Sequence, residues 1–461
     1  MFIFNKPTSA TDIWCFTPAS YEQFVVDEAD ATTKLWLAKT DFSGKAGAHT
    51  LVPSTDGAIA MVIVIVSEEA DAFWQAGAVA KHLPSGAYRY TRGVDPEQAF
   101  LVAMAWGLSV YRFEYFVEKS TKKPADLVVD ESIDADSLKT FVTAISQVRD
   151  LINLPANALG PETLAQEAAL LAETYGASFR QVVGEELLTE NFPAIHTVGR
   201  ASVRAPRLIE LNWGPQDGMK LALVGKGVCF DSGGLDIKPA SGMREMKKDM
   251  GGAAHALGLA RLIMAHKLPI ALQVLIPAVD NVIAGNAYMP GDILSTRAGI
   301  SVENDNTDAE GRLILSDALQ LACESKPDLI IDFATLTGAA RIGLGPDLPA
   351  MFANDHAVAA AVLESADKVS DPVWHMPLFA PYRAFIKSKL ADVRSCGNSG
   401  GYGGAITAAL FLEKFIQPGT PWLHFDIMAA NTRDLPGRPE GGEAMGLRAL
   451  FNFIARKVAS S

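Results

Sequence analysis

Cysteine is scarce in this chain, and its spacing excludes several classes of protein. The 461 residues include four cysteines and no CxxC pair; they are Cys15, Cys229, Cys323 and Cys396. A disulfide-stapled scaffold or a zinc finger needs a denser and more regular pattern. We therefore expect reduced, mostly buried thiols, as is typical of a cytoplasmic protein.

Basic residues and long apolar runs are also in short supply. Lys and Arg number 40 against 53 Asp and Glu, which gives a formal net charge of -13 and a pI near 5.2. This charge makes nucleic acid or an anionic membrane an improbable main partner. The apolar run Ala58–Val66 is too short to span a bilayer and predicts a buried strand. Residues Met1–Ala10 lack an apolar segment, so we expect no secretory signal.

Histidine is the third residue type in short supply, and this restricts the possible metal chemistry. The eight histidines form no HExxH motif and no close pair. His255 lies in a stretch of small residues and His424 in an apolar strand, so both are interpreted as core residues with satisfied hydrogen bonds. A metal site in this chain would use oxygen ligands and one amine, which is unusual for zinc.

Length and composition indicate two globular domains. The chain has 461 residues, 49% of them hydrophobic and 20% charged, which is too long for one ordinary core. Apolar residues recur at helical spacing over residues 134–153, and the Leu154–Pro155 bond ends the pattern. We interpret this helix as a linker between an N-terminal domain, residues 1–133, and a C-terminal domain, residues 154–461.

Both domains are predicted to be α/β. In the first, strands are expected at Ala60–Val66 and Ala125–Val129 and a helix at Pro96–Glu118. In the second, strands and helices alternate, which predicts a mainly parallel sheet with helices on both faces. The predicted strands are Leu208–Asn212, Lys220–Val224, Ile270–Ala278, Asp328–Phe333 and Trp422–Ile427. The predicted helices are Pro161–Tyr175, Gly252–His266, Ile314–Glu324, Ala357–Val369 and Ala405–Phe415.

Two segments concentrate charge beside apolar strands. Val224–Gly234 reads VGKGVCFDSGG, and Asn306–Leu313 reads NTDAEGRL. Buried charges of this density need a neutralising partner, and divalent metal ions are the natural one. The first segment follows a predicted strand, as ligand sites in open α/β sheets do. The sequence therefore predicts a hydrolase with two metal ions.

Four carboxylates are candidate metal ligands. Asp308 and Glu310 are two residues apart, so in an extended stretch both would point the same way. Asp231 and Asp249 add carboxylates from other segments. The alternative is a solvated acidic turn, and for Asp305 we prefer that interpretation.

Three cations accompany these acids. Lys226 could ligate a metal only as the neutral amine; alternatively it is a strand-end lysine that reaches solvent. A phosphate-binding loop is rejected because Gly227 stands where that motif needs Ser or Thr. Lys238 could stabilise an oxyanion and Arg312 could hold a small anion, or each could be a structural ion-pair partner. The glycine-rich stretch Ser395–Gly404 is either a cover or anion site, or an ordinary mobile loop.

The chain resembles the leucyl aminopeptidases, also called cytosol aminopeptidases or the M17 peptidase family. Asn306–Leu313 is similar to the family's signature octapeptide without a mismatch, and Val224–Gly234 to its first metal segment. Met246–Ala254 is similar to the second metal segment, and Thr335–Ala339 to a substrate-pocket segment. The agreement runs in order from about Asn153 to the C-terminus.

The resemblance implies a role for each matching residue. Asp231 and Glu310 would bridge two metal ions, and Asp308 would complete the first site. Lys226 and Asp249 would complete the second site.

The remaining roles concern the substrate. Lys238 would polarise the scissile carbonyl, and Arg312 would anchor a bicarbonate that acts as general base. The residues implied to shape the pocket or bind the peptide backbone are Met246, Thr335, Leu336 and Gly338.

The family also implies an activity and an assembly. N-terminal residues, leucine and other apolar ones, would be removed from peptides by attack of a hydroxide held between two metals. The ions would be zinc or manganese, with magnesium or cobalt as alternatives. The resemblance further implies a macro-like N-terminal domain, a cytoplasmic homohexamer and no membrane partner. Met428–Ala430 departs from the family pattern, which leaves the preferred first residue open.

Two other functions were weighed. Carboxylate-rich two-metal sites also serve phosphoesterases, although those often add histidine ligands, which this constellation lacks. A DNA-binding or regulatory role on the same fold is disfavoured by the acidic charge and by the intact set of ligands.

Overall fold

The chain folds into two compact units, which are described separately. The computed structural model describes residues 1–4, 9–69, 71–398 and 400–460. One unit comprises residues 1–146 and 433–440, and the other comprises residues 147–432 and 441–461. The segment 433–440 therefore belongs with the N-terminal residues although it lies far along the chain.

The first unit is a six-stranded sheet with helices. Its strands are β1 (Phe2–Ile3), β2 (Thr11–Phe16), β3 (His49–Pro53), β4 (Ile59–Ile65), β5 (Ala87–Arg92) and β6 (Asp126–Val128). Its helices are α1 (Pro18–Asp27), α2 (Ala31–Lys39), α3 (Ala72–Ala78), α4 (Pro96–Ser109) and α5 (Ala135–Asn153), the last of which continues into the second unit. The strand order is β1-β6-β5-β2-β4-β3, and neighbours run parallel except β3 and β4.

Local sequence explains where several of these elements begin. Thr17 caps α1 in a capping box with Ser20, and Pro18 is the first helical residue. The Asp30 side chain accepts a hydrogen bond from the Thr33 amide at 2.7 Å and so begins α2. The expected strand at Ala60–Val66 is present as β4, and its Ile63 is fully buried.

The prediction of a helix over Pro96–Glu118 was wrong at its C-terminal end, because α4 stops at Ser109. The residues that follow are rich in aromatic side chains, which favour helix only weakly. The rings of Phe113 and Tyr115 instead stack on each other with centroids 5.0 Å apart. Local aromatic packing therefore replaces the last helical turns.

The second unit is built on a large sheet with further short strands. Its strands are β7 (Ser178–Val183), β8 (Arg207–Trp213), β9 (Met219–Gly225), β10 (Gly227–Asp231), β11 (Ile270–Asn281), β12 (Ile293–Leu294), β13 (Val302–Glu303), β14 (Leu329–Ala334), β15 (Ala350–Ala353), β16 (Trp374–His375), β17 (Val393–Arg394), β18 (Trp422–Asp426), β19 (Ala430–Asn431) and β20 (Gly441–Gly442). Its helices are α6 (Pro161–Tyr175), α7 (Glu186–Thr189), α8 (Pro193–Gly199), α9 (Ala240–Met243), α10 (Gly251–Ala265), α11 (Glu310–Glu324), α12 (Gly338–Leu344), α13 (His356–Lys368), α14 (Gly404–Glu413) and α15 (Leu447–Ala459).

The topology of the large sheet brings several strand ends together. The order is β16-β15-β18-β14-β9-β11-β8-β7, and β10 pairs with β11 beyond the end of β9. Strands β18, β14, β9 and β11 run parallel, whereas β8, β7 and β15 introduce antiparallel pairs. The predicted α/β class with a mainly parallel central sheet is confirmed. The carboxyl ends of β14, β9 and β10 therefore lie along one edge, where the charged segments emerge.

Small residues let helix α10 pack closely on this sheet. A Cβ atom at Gly252 would lie 2.1 Å from the carbonyl oxygen of Phe333 in β14. A side chain there would push the helix away from the strand. This close contact fixes the start of α10, which lies within the segment Met246–Ala254.

Candidate metal centre

Lys226 is fixed by backbone hydrogen bonds at the break between β9 and β10. Its amide donates to the Phe333 carbonyl at 2.9 Å, and its carbonyl accepts from the Ala253 amide at 2.9 Å. Its side chain is only 3% exposed. The alternative of a strand-end lysine that reaches solvent is therefore wrong.

Four carboxylates reach the same region from separate elements. Asp231 ends β10, and Asp249 lies in the 3-10 turn Met246–Met250 that leads into α10. Asp308 lies in a second 3-10 turn, Thr307–Ala309, and Glu310 is the first residue of α11. Asp231 and Glu310 therefore stand at the ends of regular elements, and Asp249 and Asp308 lie in the short turns that precede α10 and α11.

The side chains of these acids lie close together. Asp231, Asp308 and Glu310 each offer an oxygen, and these atoms lie within 4.8 Å of one another. Asp249 joins them through Lys226, whose Nζ lies 2.8 Å from Asp249 Oδ2 and 2.8 Å from Glu310 Oε1. The octapeptide and the two earlier segments thus form one cluster.

Lys238 provides the second cation of the cluster. Its Nζ lies 2.7 Å from Asp231 Oδ2 and also contacts Asp308 Oδ1. The Lys238 side chain is 15% exposed and that of Asp308 is 32% exposed, whereas Asp231 is almost fully buried. Solvent and a ligand would therefore reach the cluster from the side of Lys238 and Asp308.

The pKa values of two acids in the cluster are raised by burial and by the neighbouring carboxylates. Burial, together with repulsion from Glu310 and Asp249, holds the pKa of Asp231 well above its usual value. Burial also raises the pKa of Asp249. Burial alone would lower the pKa of Lys226, but the surrounding carboxylates outweigh it and the pKa is raised. The two lysines do not neutralise the four acids.

This donor set fits divalent cations. Four carboxylates face two ammonium groups, so two negative charges would remain in a largely buried space with all four acids ionised. Glu310 Oε2 is buried and accepts no hydrogen bond within the described ranges. Hard divalent ions bind carboxylate oxygens and would neutralise this excess.

A glycine makes room for the lysine in the cluster. A Cβ atom at Gly311 would lie 2.6 Å from Lys226 Cε and 2.8 Å from its Nζ. Only glycine at this position lets Lys226 reach between Asp249 and Glu310. The glycine of the octapeptide is therefore explained by the space that the Lys226 side chain needs.

Sequence reasoning missed the residues that orient Asp231. Asn281, at the end of β11, donates through Nδ2 to Asp231 Oδ1 at 2.8 Å and to the Thr307 carbonyl at 2.9 Å. Tyr288 also donates its hydroxyl to the Thr307 carbonyl, at 2.7 Å. The position of Asn281 at the carboxyl end of a parallel strand is the signal that could have revealed it.

The turn between β14 and α12 holds three of the four expected substrate-pocket residues. Thr335 donates its hydroxyl to Asp249 Oδ1 at 2.7 Å, and its carbonyl accepts from Lys226 Nζ at 3.0 Å. Asp426 accepts hydrogen bonds from the amides of Leu336 at 3.0 Å and Thr337 at 3.1 Å. The turn that contains Thr335, Leu336 and Gly338 is thus tied to the cluster. The fourth residue, Met246, begins the turn that carries Asp249.

Arg312 does not pair with the acids of the cluster. Its Nη1 donates to the Ser395 carbonyl at 2.7 Å, and its buried Nε has no partner among residues the structure describes. No carboxylate in the described part of the chain lies within ion-pair distance of Arg312, so the interpretation as a structural ion-pair partner is not supported. The guanidinium keeps hydrogen-bonding capacity for an anion.

Asp305 was interpreted as part of a solvated acidic turn, and this was wrong. Its carboxylate accepts from Arg394 Nε at 3.0 Å and from the Cys396 amide at 2.9 Å, and its side chain is 16% exposed. The Asp305–Arg394 pair therefore anchors the start of the glycine-rich stretch. Within that stretch, Ser399 lies outside the described residues.

The two histidines interpreted as core residues are buried as expected. His255 Nδ1 bonds to the Gly251 carbonyl at 2.7 Å, and its Nε2 accepts from the Met445 amide at 2.9 Å. Burial lowers the pKa of His255 to about 4. His424 Nδ1 lies 2.6 Å from Asp332 Oδ1. Neither histidine contacts the acid cluster.

Two findings concern the disulfide-stabilised and membrane-spanning classes of protein. The four cysteines are free, and three of them are buried. Across the described ranges, the structure contains no helix whose length and apolarity would suffice for a bilayer span.

The fold and the site together define a class, a hydrolase with a buried carboxylate centre suited to metal ions. Comparison with known proteins identifies the family within this class. Residues 146–451 match the catalytic domain of the cytosol aminopeptidase family, and residues 16–130 match the M17 aminopeptidase N-terminal domain. The chain belongs to the cytosol aminopeptidase family and is an M17 aminopeptidase.

Individual relatives agree with this assignment. A probable cytosol aminopeptidase of Syntrophotalea carbinolica is 39% identical over 368 residues, which cover 76% of this chain and 73% of the relative. The crystal structure of the cytosol aminopeptidase from Coxiella burnetii superposes with a TM-score of 0.94 at 45% identity and covers 99% of both chains. The bottromycin maturation enzyme BotP in complex with Mn gives a TM-score of 0.86 at 30% identity, covering 98% of this chain and 100% of that one.

Proposed function

We propose that this aminopeptidase removes leucine and other apolar residues from the N-termini of peptides with the help of two divalent metal ions. The observation that carries the proposal is the buried convergence of four carboxylates on two lysines. A charge excess of this kind is unfavourable in the absence of bound cations. The proposal also includes the domain limits 1–133, 134–153 and 154–461, although residues 433–440 within the last of these belong to the first compact unit.

Five residues are proposed to hold the metals. Asp231, Glu310 and Asp308 would hold one ion, and Asp231, Glu310, Asp249 and Lys226 would hold the other. When bound, such ions act as Lewis acids and generate a strong nucleophile from water at neutral pH. Manganese is our first choice, because the structurally similar BotP was solved with Mn; zinc, magnesium and cobalt also suit these ligands.

The chain's own cations act on the substrate. Lys238 lies at the exposed side of the cluster, where its ammonium group can donate to the oxygen of the scissile carbonyl as negative charge develops there. Arg312 would hold a small anion such as bicarbonate, which would supply a general base. Met246, Thr335, Leu336 and Gly338 shape the pocket for the first residue and bind the peptide backbone.

The state and location of the enzyme follow the family. We propose a homohexamer in the cytoplasm that acts on peptides and uses neither membrane nor nucleic acid as a partner.

Two matched substrates test the activity. Leucyl-p-nitroanilide should be hydrolysed by the manganese-loaded enzyme, whereas N-acetyl-leucyl-p-nitroanilide should not, because it lacks the free amine. A chelator should abolish turnover and manganese should restore it. Hydrolysis of an aryl phosphate in preference to the anilide would favour the phosphoesterase reading. Anomalous scattering at the manganese and zinc edges would count the ions and identify each one.

A further inference from the structure

A cavity of about 510 Å³ lies in the first unit, and none of the residues proposed for the metal centre lines it. Its walls come from β3 and β4, the 3-10 turn Val79–Lys81, the C-terminal end of α4 and the segment 434–439. Ligand pockets in proteins typically measure about 300–1,000 Å³. The cavity is therefore large enough for a small organic molecule.

More cationic than acidic side chains line the cavity, in a chain that is acidic overall. One carboxylate, Asp434, lines it against four cationic side chains, which are Lys81, Arg112, Lys122 and Arg438. The side chains of Lys81 and Lys122 make no hydrogen bond or ion pair within the residues the structure describes. The ion pair of Arg112 with Glu114 is loose at 3.6 Å, and that of Arg438 with Asp71 at 3.7 Å. A local excess of positive charge therefore faces the cavity.

The remaining walls are apolar or flat. Val64, Val79 and Leu83 line the cavity and are at most 3% exposed. The rings of His49 and His82 lie close together in a tilted arrangement, with centroids 4.8 Å apart and an interplanar angle of 30°. Burial, and to a smaller extent the neighbouring His82, lower the pKa of His49. A neutral His49 can offer both a donor and an acceptor to a ligand.

From this geometry we propose that the cavity binds a phosphate monoester attached to a flat organic body, such as a nucleoside monophosphate. Arg112 and Arg438 already have acidic partners in Glu114 and Asp71, whereas the Lys81 and Lys122 side chains face Asp434 as the one carboxylate that lines the cavity. A phosphate monoester carries nearly two negative charges and three strong acceptor oxygens. A bare phosphate would leave the apolar wall and the imidazole rings without a partner. This inference is independent of the activity proposed for the metal centre.

Calorimetric titration of the manganese-loaded full-length enzyme tests the proposal. The three probes are AMP, adenosine and inorganic phosphate, in a phosphate-free buffer of low ionic strength. AMP should bind at least about tenfold more tightly than either adenosine or phosphate, because only AMP engages both the cations and the apolar wall.

Charge reversals locate the site. Lys81→Glu and Arg112→Glu should each weaken AMP binding at least about tenfold, because each replaces an attraction with a repulsion. Lys39→Glu, at an exposed position at the end of α2, is the matched control and should bind AMP as the unchanged chain does. Lys122→Glu replaces either of the first two variants if one fails to fold, as judged by its thermal midpoint. Leucyl-p-nitroanilide hydrolysis should stay unchanged in Lys81→Glu and Arg112→Glu.

Three results would overturn the proposal. If phosphate or adenosine bound as tightly as AMP, the cationic side chains and the apolar wall would not both contribute to the binding of one ligand. Unchanged AMP binding in the charge-reversal variants would place the ligand elsewhere. Loss of AMP binding in Lys238→Met, with binding retained in Lys81→Glu, would place it at the metal centre.

Discussion

Two buried clusters of charge in the second unit differ in how completely their charges are matched. Arg149 and Glu443 form a pair with Nε–Oε1 and Nη2–Oε2 distances of 3.2 and 3.0 Å, and Glu443 also accepts from Asn431 and from the Ala444 amide. That cluster satisfies both carboxylate oxygens. The acid cluster around Lys226 instead holds twice as many carboxylates as lysines. A matched pair fixes the fold, whereas an excess of one charge indicates a place for a ligand.

The largest effect is expected when the unmatched cluster loses a shared carboxylate. Glu310→Gln should reduce kcat/KM for leucyl-p-nitroanilide at least about a thousandfold, since a direct ligand counts for more than the ten- to hundredfold typical of outer partners. The metal-free variant should unfold more easily than the unchanged protein, because Glu310 pairs with Lys226 at 2.8 Å; burial alone would raise the pKa of Glu310, but Lys226 outweighs it and the pKa is lowered, so the ionised carboxylate stabilises the fold. Steady-state kinetics and chelator-treated thermal melts measure the two quantities.

Glu324→Gln is the matched control for this variant. Glu324 ends the same helix, α11, is 42% exposed and pairs with Arg297 at 2.8 Å. Its loss should leave kcat/KM within about twofold, as surface ion pairs contribute little. Equal loss of activity in both variants would contradict the special role of Glu310.

Breaking the matched cluster should affect stability and not chemistry. Arg149→Met leaves the Glu443 carboxylate buried without its cation and should lower the free energy of unfolding by about 3–5 kcal/mol. The double variant Arg149→Met/Glu443→Leu should recover much of that loss, because neither charge is then buried alone. Denaturant unfolding of the three proteins measures this, and a double variant as unstable as the single one would count against it.

A smaller effect is expected from a residue that only orients a ligand. Asn281→Ala removes the hydrogen bond to Asp231 and should weaken manganese binding or turnover about ten- to hundredfold. Manganese titration of the apoenzyme, followed by kinetics at saturating metal, separates the two contributions. Asn212→Ala, on the exposed side of β8, is the control and should behave as the unchanged chain. Unchanged manganese affinity and turnover in Asn281→Ala would show that Asn281 does not help to orient Asp231.

The mildest test of the unmatched cluster uses pH. The pKa of Lys226 is raised in the metal-free protein by the acids around it, although burial opposes this. Its ammonium group must lose a proton before the amine can ligate, so metal binding releases a proton and strengthens as pH rises. The apparent dissociation constant for manganese should fall about tenfold for each unit of pH between about 6.5 and 8.5. An affinity that does not change over that range would exclude Lys226 as a ligand.

The sequence allowed the acids to be predicted but not most of their supports. Asp308 and Glu310 sit in a short, unusual motif, so their proximity could be expected. Asn281 and Asp426 act through the ends of β11 and β18, and their contacts depend on which strands are neighbours. Local patterns do not contain that information.

The same limit applies in the first unit. The helix starting at Pro96 was predicted too long, because aromatic packing after Ser109 outweighed the periodic pattern. The association of residues 433–440 with the first unit, and hence the basic cavity, depends on contacts between distant parts of the chain. The residues next to Lys81 and Arg438 in the sequence give no sign that these two side chains line the same cavity.

Lys226 and Lys238 have a consequence for how the enzyme acquires its metal. Because the two ammonium groups serve as internal counter-ions, the chain can fold before any metal arrives. Loading is then an exchange of one cation for another at a site that already exists. We expect such an enzyme to survive emptying and refilling, so the metal it carries would follow the supply in its surroundings.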